Sequence, residues 1–226
     1  MKMAAPKEEW RHLALLIAIL FLFIVTPAVV ALPQGMLVMN ILVAIVFVTG
    51  SYALSPRKQL FVVAIVLSAV TVTLAFVLLF YPRPWVKISS TCCIIILVSY
   101  FSVTILCYVL RGTRVTTDKI FAAICVYMFI GYAWEFAYAL VEEFQPSAFM
   151  ALSSPHPNDY VARVLEMRYF SFATLTTVGY GDIVPHSAAA RTLAVLEAVT
   201  GQIYLTVLIA RLVGLHIVHA SNARNE

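Results

Sequence analysis

The sequence predicts an all-α polytopic membrane protein with six transmembrane helices and one shorter re-entrant helix. Three observations carry that reading. Of the 226 residues, 62% are apolar or aromatic and 12% are charged, with a mean hydropathy of +0.95. A water-soluble domain exposing that much apolar surface would aggregate. The apolar residues gather into runs long enough to cross ~30 Å of hydrocarbon, which takes about 20 residues in a helix. Turn-forming breaks separate the runs: Pro33-Gln34-Gly35, Ser55-Pro56-Arg57-Lys58, Tyr81-Pro82-Arg83-Pro84 and Arg111-Gly112-Thr113-Arg114.

The first span covers Leu13–Leu32 and follows Lys2, Lys7 and Arg11. It is longer than the apolar core of a secretion signal and no small-residue cleavage site follows it, so it reads as a retained signal-anchor. The next four are Met36–Leu54, Leu60–Tyr81, Ile88–Leu110 and Ile120–Val141, the last with Thr116, Thr117 and Asp118 as N-cap candidates. The sixth runs from Ala188 to about Leu215 and carries Arg191 and Glu197 near its start. Between the last two spans, Glu142 to Asp159 is loop-like, with Pro146, Pro155, Pro157 and Asn158. Arg163 to Thr177 then has good helix formers and neither Gly nor Pro. That helix is too short to span, and non-helical backbone after it survives at membrane depth only inside protein or around water.

Cys92, Cys93, Cys107 and Cys125 all lie in apolar runs without metal-ligand spacing, so neither a disulfide framework nor a zinc site is expected. The net charge of +4 is spread over loops and reads as topology rather than as a nucleic-acid surface. Six spans place both termini on one side. That side collects ten Lys and Arg residues: Lys2, Lys7, Arg11, Arg57, Lys58, Arg111, Arg114, Lys119, Arg211 and Arg224. The other has five: Arg83, Lys87, Arg163, Arg168 and Arg191. The termini are therefore expected in the cytoplasm and Val141–Ala188 outside.

Within that outer segment Thr174–Pro185 reads TLTTVGYGDIVP. Potassium without its water needs a shell of oxygen ligands. Carboxylates would hold it too tightly to conduct, whereas backbone carbonyls are neutral dipoles. Successive carbonyls turn to one axis when the chain visits left-handed conformations, which glycine adopts at little steric cost. In Thr177-Val178-Gly179-Tyr180-Gly181 the glycines alternate with side chains that brace the strand. Thr177 adds a carbonyl and a hydroxyl, and the C-terminal end of the preceding helix favours a cation below it.

TTVGYGD resembles the selectivity filter of the tetrameric potassium channels, and Ile120–Leu215 resembles their outer helix, pore helix, extended filter and inner helix. The resemblance implies a homotetramer in the plasma membrane, of a prokaryotic type, surrounded by lipid. In it Thr177, Val178, Gly179, Tyr180 and Gly181 of four chains bind K+, the transported ion, without organic cofactor or enzymatic activity. It divides the chain into a four-helix domain, residues 1–115, and a pore domain, residues 116–226. Asp182 rings the mouth. Many relatives restrain this carboxylate with a tryptophan eight residues before the filter threonine; here Tyr169 stands there, with Phe170 beside it, and is expected to donate instead. Ala173 replaces a glutamate found in other relatives.

Gly201, 19 residues after Asp182, stands where similar channels hinge, and Leu205, Ile209 and Val213 continue its face as expected pore lining. Packing explains that glycine and that stripe equally well. Glu135 and Glu197 are expected to brace the pore helix rather than to bind ions. His216 and His219 are too few for a zinc site, and neither they nor His186 has an assigned role. The fourth span carries no charge from Ile88 to Leu110, so the arginine ladder of a voltage sensor is missing. The alternatives are a weakly selective cation channel, which typically loses the filter tyrosine or a glycine, and a potassium transporter subunit, which usually carries several degenerate filters in one chain. No regulatory partner or gating stimulus can be named from these residues.

Overall fold

The computed structural model describes residues 10–32, 34–111, 116–150 and 160–222, with the backbone alone for 212, 213 and 215–222. Lys2, Lys7, Arg114, Arg224 and the loop around Pro155 and Pro157 lie outside these, as do the side chains of Val213, His216 and His219. The chain is an all-α polytopic membrane protein. Its helices are α1 (Arg11–Val30), α2 (Gly35–Ala53), α3 (Lys58–Phe80), α4 (Pro84–Leu110), α5 (Thr117–Phe144), α6 (Tyr160–Leu175) and α7 (Ala188–Asn222). Six are long and apolar enough to cross a membrane; α6, with 16 residues, is the exception. Two-residue strands β1 (Phe149–Met150) and β2 (Val184–Pro185) pair antiparallel beside it.

Local chemistry sets the helix ends. α4 starts at Pro84, four residues before the expected Ile88, because proline suits the first turn, where its missing N–H costs nothing. This brings Lys87 into α4, where it pairs with Glu143 of α5. Thr116 caps α5, accepting from the Lys119 N–H. Asp118 is therefore not a cap. Its carboxylate takes the His12 ring nitrogen at 2.7 Å and the Tyr108 hydroxyl at 2.9 Å, tying the starts of α1 and α5 to the end of α4. α6 stops at Leu175, two residues before the expected Thr177, which has a left-handed φ of 60°.

α1 to α4 pack in sequence order as antiparallel neighbours, and both α1 and α4 close onto α5. Only six residues separate the end of α4 from the start of α5. The main core lies among Leu15, Ile19, Leu97, Phe101, Ile105 and Phe129, with the Phe101 and Phe129 rings stacked at 5.5 Å. A second cluster of Tyr138, Phe149, Met167 and Phe170 packs α6 against α5 and β1.

Apolar attraction between helices is weak in lipid, where the solvent is as apolar as the side chains, so buried polar links fix the arrangement. Glu135 of α5, fully buried, receives Nε and Nη2 of Arg168 on α6 at 2.9 and 3.0 Å. Arg168 thus belongs to the core and not to an outer loop. Glu135→Gln leaves that guanidinium buried and unpaired, and should lower the unfolding free energy by about 3–5 kcal/mol. Glu135→Leu combined with Arg168→Met should recover most of the loss. Unfolding of the purified protein in detergent measures both, and equal stability of wild type and Glu135→Gln would contradict the assignment.

Candidate functional site

Between α6 and β2 the chain leaves helical geometry. The Thr176 N–H still reaches back to the Phe172 carbonyl at 3.1 Å, and that of Thr177 to Thr174 at 2.9 Å. The N–H groups of Val178 and Gly179 then share the Ala173 carbonyl at 2.9 and 3.1 Å. These bonds satisfy the last carbonyls of α6, which otherwise lack partners. Beyond them φ is positive at every second residue: 60° at Thr177, 55° at Gly179 and 79° at Gly181. Glycine accepts that region readily; threonine, β-branched, does not, and at Thr177 the strand holds real backbone strain. A side chain added at Gly179 or Gly181 would meet no atom within 4 Å, so the requirement for glycine there is conformational rather than spatial.

Residues 176–182 are all exposed on the single chain, and no hydrogen bond among the described residues ends on their carbonyls. Val178 is 53% and Tyr180 71% exposed. One aromatic contact does hold this strand: the Tyr180 ring stacks on Tyr169 of α6 at 6.0 Å, nearly parallel.

The Tyr169 hydroxyl donates to Asp182 Oδ2 at 2.7 Å, while the Ile183 N–H donates to Oδ1 at 3.1 Å. The Tyr169 hydrogen bond holds the Asp182 carboxyl below the ordinary carboxylate value, and the same bond pushes the Tyr169 hydroxyl up to about 12. The neighbouring Phe170 is buried, its ring edge-on to Tyr138 at 5.1 Å and to Phe149 at 5.2 Å. It therefore secures α6 to α5 and β1 rather than resting on Asp182.

Glu197 is fully buried on α7. The Tyr138 hydroxyl reaches its Oε2, and Ser171 Oγ its Oε1, both at 2.5 Å; Ser171 also lies 2.8 Å from the Gly131 carbonyl. One carboxylate thus joins α5, α6 and α7 behind the TVGYG strand. Gly201 faces the end of α6 so closely that a Cβ there would sit 2.6 Å from the Leu175 carbonyl oxygen, which also accepts from Tyr127 at 3.1 Å. α7 runs unbroken through Gly201. Leu205 packs half-buried on the main core, whereas Ile209 is 58% exposed. At the α6 end that leads away from the TVGYG strand, Glu142 accepts from Ser147 N at 2.9 Å and Arg163 Nη1 at 2.8 Å, and the His186 N–H meets the Ala148 carbonyl at 2.7 Å.

Residues 139–215 match the ion-channel family model Ion_trans_2, a range that takes in the end of α5, all of α6, the TVGYG strand and most of α7. The two-pore potassium channel 1 of Arabidopsis thaliana is 44% identical over 48 residues, which are 21% of this chain and 13% of that protein's length. No solved structure matches the chain. The chain is thus a multi-pass membrane protein of which one segment, residues 139–215, is similar to ion channels.

The sign of the Asp182 effect gives a test. A carboxyl held below its ordinary 3.8 gains from its partner above that pH, and the gain disappears as pH falls through the lowered value. In Tyr169→Phe the titration of Asp182 should therefore move to higher pH, toward the ordinary carboxylate range. An Asp182 titration unchanged by Tyr169→Phe would contradict a restraint by Tyr169.

Proposed function

We propose that four copies of this chain form a potassium-selective channel that conducts passively. The observation that carries this reading is the exposed strand at Thr177–Gly181, with φ positive at every second residue and no hydrogen bond to its carbonyls among the described residues. Such backbone is tolerated at membrane depth only where protein or water surrounds it. Three more copies supply the missing surroundings, and an ion supplies the missing partner. Carbonyls of Thr177, Val178, Gly179 and Tyr180 then replace the hydration shell of K+, as four TVGYG strands do in potassium channels. The similarity to the Arabidopsis two-pore potassium channel 1 supports potassium as the ion.

The surface of α7 agrees with assembly. Val195, Val199, Ile203 and Val207 make an exposed apolar stripe at helical spacing, while the amide of Gln202, also exposed at mid-span, is ill suited to lipid. Asp182 of each copy adds negative charge at the mouth. Gly201 and Leu205 act in packing α7 on its own chain, and Ile209 with Val213 remains as pore lining.

Residues 1–115 form a four-helix unit and 116–226 the pore unit. Without an arginine ladder in α4, and with α4 joined directly to α5, the first unit does not gate by voltage; it supports assembly. The protein lies in a plasma membrane with both termini cytoplasmic, following the Lys and Arg asymmetry, and needs no organic cofactor.

Flux from liposomes under separate potassium and sodium gradients tests the reading. Potassium should move and sodium should lag by at least tenfold. Gly179→Ala forces a side chain onto a left-handed residue at about 1–2 kcal/mol per chain. Over four chains this exceeds the 1.36 kcal/mol that corresponds to tenfold, so potassium flux should fall by more than that factor. Equal sodium and potassium flux in the wild type would falsify the assigned selectivity.

A further inference from the structure

Behind α6, a cavity of about 110 Å³ lies among α2, α3, α4, α5 and α6. Its walls are mostly apolar, with Met39, Val43, Val72, Ile94 and Phe129 among them. Asn40, Thr71, Ser90 and Tyr160 add polar groups, and two further polar residues carry unmatched donors. Tyr132 of α5 is 5% exposed and Arg168 of α6 is 6% exposed. Neither the Tyr132 hydroxyl nor Arg168 Nη1 has a hydrogen-bond partner among the described residues. The two are neighbours, the guanidinium carbon standing 5.1 Å from the Tyr132 ring centre. Buried donors in proteins are nearly always matched, and an unmatched pair in one cavity calls for an acceptor.

We propose that this cavity binds a small, uncharged, membrane-soluble molecule with an apolar body and one oxygen acceptor, of the phenol class. Size limits the body: a cavity of about 150 Å³ takes up benzene, and this one, at about 110 Å³, has room for no more than a single small ring. The chemistry of the two donors sets the oxygen. Charge is excluded: Glu135 already neutralises Arg168, so the pair offers no net attraction to an ion of either sign, and any ion would have to leave water for a mostly apolar wall. Water alone would satisfy the donors and leave the apolar remainder of the cavity unfilled. The site also has leverage on the candidate ion pathway. Arg168 holds α6 to α5, and α6 leads into the TVGYG strand, so a ligand accepting from Nη1 stiffens that support.

Binding is measured without reference to conduction, so its outcome is separate from that of the potassium reading. The probes are 4-fluorophenol and fluorobenzene, followed by fluorine NMR on the full-length protein in lipid nanodiscs. In the wild type 4-fluorophenol should bind saturably and more tightly than fluorobenzene. Tyr132→Phe keeps the ring and removes the hydroxyl; it should weaken 4-fluorophenol about tenfold, the size of one hydrogen bond, and leave fluorobenzene unchanged. Ala75→Phe, which fills the cavity from α3, should abolish both. No saturable binding, equal affinity for the two probes in wild type, or indifference of 4-fluorophenol to Tyr132→Phe would each overturn the proposal. So would a high-resolution map with phenol present that shows only water beside Tyr132 and Arg168.

Discussion

Every backbone N–H and C=O at membrane depth needs a partner, and the rest of this structure follows from how one strand meets that demand. Six helices satisfy their own main chains. The segment after α6 does not: its first amides fold back onto the Phe172, Ala173 and Thr174 carbonyls, and the carbonyls that follow receive nothing from the described residues. A solitary chain would leave them facing hydrocarbon. In the proposed channel, symmetric assembly around a desolvated cation would resolve the imbalance, so that a site with no ligating side chain could recognise an ion. Carboxylates would coordinate a cation as well, but neutral carbonyls hold it loosely enough to release it.

The same constraint governs the buried side chains. Glu135, Glu197 and Asp118 each accept from partners on other helices: Arg168, Tyr138 with Ser171, and His12 with Tyr108. The first two junctions tie the short α6 to α5 and α7, and the third ties α1 and α4 to the start of α5. Arg168 and Ser171 share a face of α6 toward α5, and Phe170 packs on Tyr138 and Phe149, so its position is fixed while its C-terminal end leads into the TVGYG strand. Precise placement matters here because a carbonyl ring selects by the distance and field of its dipoles, and those depend on where α6 delivers the chain.

Much of this was legible in the residues. Hydropathy located all six spans within a few residues, because an apolar run of that length has few other uses. The TVGYG motif located the strand, since alternate glycines signal left-handed backbone. Its first member was harder to read: Thr177 is also left-handed, a conformation its type disfavours, and only the surrounding bonds make it adopt it. Side-chain partnerships were less visible, for they join residues far apart in the chain. Arg168 counts in the sequence only as an outer-side charge on the short helix, although an acid at Glu135 inside a span is itself a sign that some cation must be nearby. His12 gave no signal, because its role exists only once α1 lies against α5.

The central claim is that four strands make one binding column from main-chain oxygens. Determining the structure of the purified protein with thallium in place of potassium tests it most directly. The account predicts fourfold symmetry, with anomalous or map density on the axis at successive levels between the carbonyls of Thr177 and Tyr180. A different stoichiometry, or thallium held at the Asp182 carboxylates with none between the strands, would contradict it.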